Sequence, residues 1–351
     1  MRMTTLAATL CLALALPAQA QQAAPVPPAV TAPAAPSGQT PAVPADDGLR
    51  TEATVVVTGE QPGPGLWLVR NGNHELYILG TITPLPTRMQ WQTRQLDEVI
   101  ANAQEVIHAP SLAVNSDIGK FRALMLLPSL VGVKNNPDGK RLDAVLPPAT
   151  YVRWSAFRDR FLDRDADKLR PMFAADALWK AAIKRSGLSN DDVAKPAVAA
   201  AVERHHPNVT VVKETITVKD PKAAIKQFKA AEIEDMVCLE GTLDRLGQDM
   251  EVLRQRANAW AQGDVAAIRA MPLNDQYQAC MDAVTGSGIG RSLGMADAMQ
   301  RLQSAWMAKA DAALSTNATT FAVLPMREML APGGYLDRLK AKGYTVIAPD
   351  E

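Results

Sequence analysis

Cysteine and histidine are scarce in this chain of 351 residues, which carries three cysteines and four histidines, His74, His108, His205 and His206. A multi-metal centre built from clustered thiolates and imidazoles is therefore not expected. An excess of charge is missing too, because 37 basic side chains face 37 acidic ones. Without a long basic block the electrostatic footprint of nucleic-acid binding is absent, and no nucleic-acid partner is expected. Beyond the N-terminus no apolar run approaches the roughly 20 residues of a membrane helix. What is present, 47% hydrophobic and 21% charged residues, suffices for the buried core of one large or two small domains.

The first residues read as an export signal. Arg2 supplies positive charge, Leu6 to Leu16 is apolar but too short to span a bilayer, and Ala18-Gln19-Ala20 offers small residues for cleavage before Gln21. An uncleaved anchor helix is the alternative, disfavoured by the short run and by Pro17. Cys11 lacks the small residue expected directly before a lipidated cysteine, so lipidation is not expected. Residues 21–48, rich in alanine and in proline (Pro25, Pro27, Pro28, Pro33, Pro36, Pro41, Pro44) and without an aromatic, cannot bury enough surface to offset chain entropy. The expected organisation is a signal peptide over 1–20, a disordered linker over 21–48 and a folded domain over 49–351, periplasmic or secreted and soluble after cleavage.

Strand patterns open and close the folded part. Thr54 to Thr58 is β-branched, and Leu66 to Arg70 and Glu75 to Leu79 flank Asn71-Gly72-Asn73, a hairpin signal. Gly80-Thr81-Ile82-Thr83 follows the second strand, a helical pattern runs from about Gln92 to Ala103, and Glu105 to Ile107 is a buried strand. At the other end Thr320 to Leu324, a helix from Gly334 to Lys342 and Tyr344 to Ile347 repeat the order. The fold class expected is α/β: a mixed sheet built from N- and C-terminal β-loop-α-β units that bracket a long helical middle, about 116–314.

Within that middle, Tyr151, Trp154, Phe157 and Phe161, then Leu178, Ala182 and Ile183, then Leu239, Leu243, Leu246, Met250 and Leu253 recur at helical spacing and read as core. Val209 to Val212 and Thr215 to Val218 interrupt the helices as short strands. Cys238 and Cys280 remain after signal cleavage; an even pair in an oxidising compartment is most simply a disulfide, with two buried free thiols as the alternative. The run Gly286-Ser287-Gly288-Ile289-Gly290 reads as an interhelical loop, since neither a dinucleotide fingerprint nor a P-loop lysine completes it.

Leu66-Trp67-Leu68-Val69-Arg70, the hairpin, Leu76 to Thr83 with Leu85-Pro86, and the closing Gly334-Tyr335-Leu336, Leu339 and Lys342 to Val346 together resemble the TraB/GumN family, related to the TIKI metalloproteases. Arg170-Pro171-Met172 and Glu214 are similar to secreted bacterial members. The resemblance implies a site in which two Gly-x-x-His motifs and a glutamate hold a divalent metal that activates water. Here the first motif reads Gly80-Thr81-Ile82-Thr83, and the second falls on Pro325-Met326-Arg327-Glu328. The glutamate position falls on Ala109, or on His108 with a shift of one, and an Arg-Asn pair falls on Leu302 and Gln303.

With every ligand position substituted, no resident metal or other cofactor is expected. The leading expectation is a non-catalytic binding, scaffold or regulatory protein with an unidentified protein or peptide ligand. A metal-dependent hydrolase, a peptidase with nonstandard ligands around a divalent metal, is the runner-up. Thr83, His108, Arg327 and Glu328 are expected in one cleft, because loops of the two bracketing units should share a sheet edge.

Overall fold

The computed structural model describes residues 59–349 except 117, 120–123, 231–234, 272–279, 281 and 283. The expected signal peptide, linker and Thr54–Thr58 strand lie outside the described residues. Strand β1 (Leu66–Asn71) turns at Gly72-Asn73 into β2 (His74–Thr81), with Asn71 opposite His74. A short β3 (Leu85–Pro86) precedes the helix Arg94–Asn102 and β4 (Glu105–Ile107), the latter two as the apolar spacing predicts.

The two terminal units interleave. Strand β9 (Thr319–Pro325) inserts between β2 and β4, parallel to both, while β10 (Thr345–Ile347) pairs antiparallel with β1. Strand β7 (Asn208–Thr210), supplied by the mainly helical middle, pairs parallel with β4 and closes the order β10-β1-β2-β9-β4-β7. A central parallel strand is covered on both faces, and β9 accordingly buries Phe321, Ala322 and Leu324 in succession rather than by strict alternation. The helix Met295–Thr316 packs on this sheet through Leu302, Trp306, Ala310 and Leu314.

A second core lies among the helices Pro148–Phe161, Pro171–Arg185 and Asp235–Gln262, where Trp154, Leu178, Leu239, Leu243 and Leu246 meet. Its polar centre is Asp167, which accepts hydrogen bonds from Trp154 Nε1 (2.8 Å), Arg158 Nη1 (2.6 Å), Arg141 Nη2 (2.8 Å) and the Tyr151 hydroxyl (3.3 Å). Three of these bonds converge on Oδ2 and one reaches Oδ1, so both oxygens of this buried carboxylate are partnered, which is what makes its burial tolerable.

The pairing of β3 with β6 (Leu188–Ser189) and the long helix that carries Trp260 link the two cores, and a further strand pair flanks the sheet core. Strand β3 pairs antiparallel with β6, β5 (Ser111–Ser116) pairs parallel with β8 (Lys213–Val218), and Trp260 Nε1 donates to the Gly80 carbonyl at 2.8 Å. No helix among the described residues is long and apolar enough to cross a membrane.

The run Gly286–Gly290 departs from its reading as a loop, for a helix spans Gly288–Ser292. The Ser287 hydroxyl accepts the Gly290 amide at 3.0 Å and donates to the Val284 carbonyl, so serine caps the turn. A Cβ on Gly290 would lie 2.3 Å from that same carbonyl oxygen, so the glycine permits the close turn rather than marking a loop.

Candidate functional site

The parallel register of β2 and β9 sets Gly80 beside Leu324 and Thr81 beside Pro325, so the segments that follow both strands leave the sheet side by side. After β2 the chain runs through Ile82, Thr83 and Pro84 before β3 is pinned to β6. After β9 there is no loop: Pro325, with φ −63°, caps the helix Met326–Leu330 directly. Proline suits this position, since it has the φ a helix start needs and no amide to satisfy. Gly80 has a packing role here, because a Cβ would sit 2.6 Å from Met326 Cγ.

Between these strand ends and the helical core lies a cavity of about 660 Å³. Thr81, Ile82, Thr83, Pro84, Pro325, Arg327 and Glu328 form the sheet side. The facing wall is one side of the helix Pro171–Arg185, where Met172, Phe173, Asp176, Trp179 and Lys180 recur at intervals that bring them to one face. Arg256 enters from the long helix Asp235–Gln262, one turn before the Trp260 that anchors this helix to Gly80, and Cys238 and Cys280 close another side. These two cysteines are disulfide-bonded, with Cα atoms 4.7 Å apart, inside the usual range for such a bridge.

Thr83, Arg327 and Glu328 therefore line one cavity, and His108 does not. The reason lies in strand order. His108 directly follows β4, which stands on the far side of β9 from β2, and its amide donates to the Thr210 carbonyl at 2.9 Å, tying it toward the β7 edge. Ala109 follows it away from the cavity lining, while Leu302 is buried in the sheet core and Gln303 lies on the same helix without lining the cavity.

Arg327 and Glu328 both line the cavity, and Glu328 is exposed to water. Partial desolvation raises the Glu328 carboxyl above the usual carboxylate range, with Arg327 opposing the shift. Burial and the negative charge of Glu328 likewise raise the Tyr335 phenol, whose ring meets Trp306 edge-on at 4.8 Å. The second carboxylate of the cavity, Asp176, is held by Lys180 Nζ at 2.8 Å.

This donor set does not fit the divalent metal that the resemblance implies. No imidazole lines the cavity, both cysteines are consumed in the disulfide, and one of two carboxylates is ion-paired. Among the described residues no three His, Cys, Asp or Glu side chains gather as a metal-holding group. An apolar wall with a few convergent polar groups, in a cavity of this size, suits instead an organic ligand or a peptide side chain.

Leu178, Ala182 and Ile183 of Pro171–Arg185 are buried in the helical core, as their spacing predicts; the wall that faces the cavity is not predicted by that spacing. A second pattern on the same helix, Met172, Phe173, Asp176, Trp179 and Lys180, was available as a signal.

The model of the TraB/PrgY/gumN family matches residues 65–348. No curated protein and no solved structure matches the chain.

Proposed function

The chain belongs to the TraB/PrgY/gumN family, and we propose that it is a non-catalytic member, exported to the periplasm or beyond, that binds a protein or peptide segment in the cavity at the ends of β2 and β9. The observation that carries this reading is the composition of that cavity: Thr83 and Glu328 stand where the resemblance places the metal-binding histidines, with Arg327 beside them, against a wall of Met172, Phe173 and Trp179. A carboxylate kept in a site that disfavours its charge lowers stability, and such groups concentrate where a ligand supplies the missing partner.

The rival reading, a metal-dependent peptidase, draws on the two carboxylates Asp176 and Glu328 in the same cavity. The Lys180 ammonium on Asp176 weighs against it, since a ligand carboxylate must be free to face the metal.

A pool of short synthetic peptides, equilibrated with the mature protein and with an Arg327→Ala/Glu328→Ala variant, separates the readings. The expected result is that wild type retains a subset of peptides intact and the variant loses them. The variant's melting temperature should stay within about 3 °C, the shift that about 1 kcal/mol produces in a domain of this size. Cleaved peptides on addition of a divalent metal, or identical retention by both proteins, would refute the proposal.

A further inference from the structure

Large exposed apolar side chains concentrate in one stretch of the chain. Leu124, Met125, Leu127, Leu130 and Val131 are between 48% and 75% exposed, and the helix Leu127–Leu130 buries none of its residues. Neither core draws on them. A contiguous apolar patch of this kind marks a surface that something covers.

Lysines lie beside it among the described residues. The stretch packs against the helix Pro221–Ala230, and Lys229 Nζ donates to the Val131 carbonyl at 2.8 Å. On that helix Lys222, Lys226 and Lys229 share one face by their spacing, and Lys134 follows the patch and is exposed. None of these four lysines forms an ion pair with a carboxylate among the described residues. Asp220, directly before that helix, is engaged in capping it, accepting the Ala223 amide at 2.9 Å.

We propose that this face docks on a bilayer surface containing anionic phospholipid. The leucine, methionine and valine side chains would enter the boundary between headgroups and acyl chains, and the lysines would meet lipid phosphates. Size argues for lipid over a protein partner. The apolar residues span eight positions of the chain, whereas a stable protein interface engages roughly 20–30 residues a side. A bilayer needs no matching relief, only apolar side chains with cations beside them. Docking in this way would also set the cavity mouth near the membrane, because Phe173, which lines the cavity, meets Phe228 of the lysine-bearing helix at 6.1 Å between ring centroids.

Sedimentation of the mature full chain with vesicles tests this. Vesicles of phosphatidylcholine with about a third phosphatidylglycerol should carry the protein down, and binding should weaken as salt shortens the Debye length; vesicles of phosphatidylcholine alone should carry little. Leu127→Ser/Leu130→Ser should abolish binding, and Lys222→Gln/Lys226→Gln should weaken it about 30-fold, at about fivefold for each lysine near the surface. In a Leu127→Trp variant the tryptophan emission should shift to the blue on addition of the anionic vesicles, a readout independent of how the serine variant folds. No co-sedimentation with the anionic vesicles, equal binding to both vesicle types, or an unmoved tryptophan emission overturns the proposal. So does concentration-dependent self-association that Leu127→Ser/Leu130→Ser removes in the absence of vesicle binding, which would assign the face to a second copy of the chain.

Discussion

Replacing Asp167 by asparagine removes one negative charge from the centre of the helical core while keeping the side chain's size. The carboxylate is 2% exposed and serves Arg158, itself 6% exposed, at 2.6 Å, together with Arg141 at 2.8 Å. In the variant the buried Arg158 guanidinium would retain only Asp159, a carboxylate 59% exposed, as counter-charge. Breaking a buried pair by removing one partner costs about 3–5 kcal/mol, because the other charge is left uncompensated. An asparagine oxygen still accepts from Trp154 Nε1, which puts the expected loss near the lower end, about 3 kcal/mol, a large part of a typical total stability. The effect carries a pH signature. Burial alone would raise the Asp167 pKa, but hydrogen bonds from Arg158, Trp154 and Arg141 outweigh it and hold the carboxyl below its usual range. A folded-state pKa below the unfolded one contributes stability that is complete above the unfolded value, about 3.9, and is lost as pH falls through the folded value. Urea unfolding of both proteins should therefore show the full difference at pH 7 and a shrinking one in acid. A loss under about 1 kcal/mol at pH 7, or one that persists unchanged well below pH 3.9, would refute this account of the helical core.

Other expectations follow from the same structure. The unreduced mature protein should begin at Gln21 and carry no alkylatable thiol, as seen by mass spectrometry; Cys238→Ser/Cys280→Ser should then lose on the order of 4 kcal/mol in chemical denaturation, since the bridge spans a sequence separation of 42. Thr83→His should create no metal-dependent hydrolysis in a peptide cleavage assay, because one imidazole beside Arg327 and an ion-paired Asp176 supplies neither a ligand set nor its supporting hydrogen bonds. Glu328→Gln should stabilise the fold at pH 7 and match wild type below about pH 4, since the raised folded-state pKa makes the ionised carboxylate a cost only above the unfolded value; a melting temperature lowered at pH 7 would show that Glu328 is instead held by favourable contacts.

Local chemistry made much of the fold legible. The hairpin at Gly72-Asn73, the strand Glu105–Ile107 and the terminal strand-helix-strand order all rest on turn residues and apolar spacing within a few positions of each other. The insertion of β9 between β2 and β4 joins segments some two hundred residues apart and leaves no periodic trace in either. That insertion decides which candidate residues meet: it brings Pro325, Arg327 and Glu328 beside Thr83 and interposes a strand between β2 and His108. The helical wall of the cavity was hidden for a related reason, because Phe173 and Trp179 carry the apolar character of any packed helix face and only tertiary packing sets them beside a cavity. At Gly286–Gly290 glycine's association with loops misled, because there the missing Cβ serves a tight helical turn.

The central claim, that the cavity beneath β2 and β9 is a ligand site without a metal, is tested most directly by the metal content of the mature protein. The protein would be incubated with manganese, cobalt and zinc, freed of unbound ions by gel filtration and analysed by mass spectrometry of the elements. The donor set described, with no imidazole and one unpaired carboxylate facing the cavity, predicts far less than one ion per chain. One tightly held ion per chain, lost in Glu328→Gln, would contradict the account and place a nonstandard metal centre in that cavity.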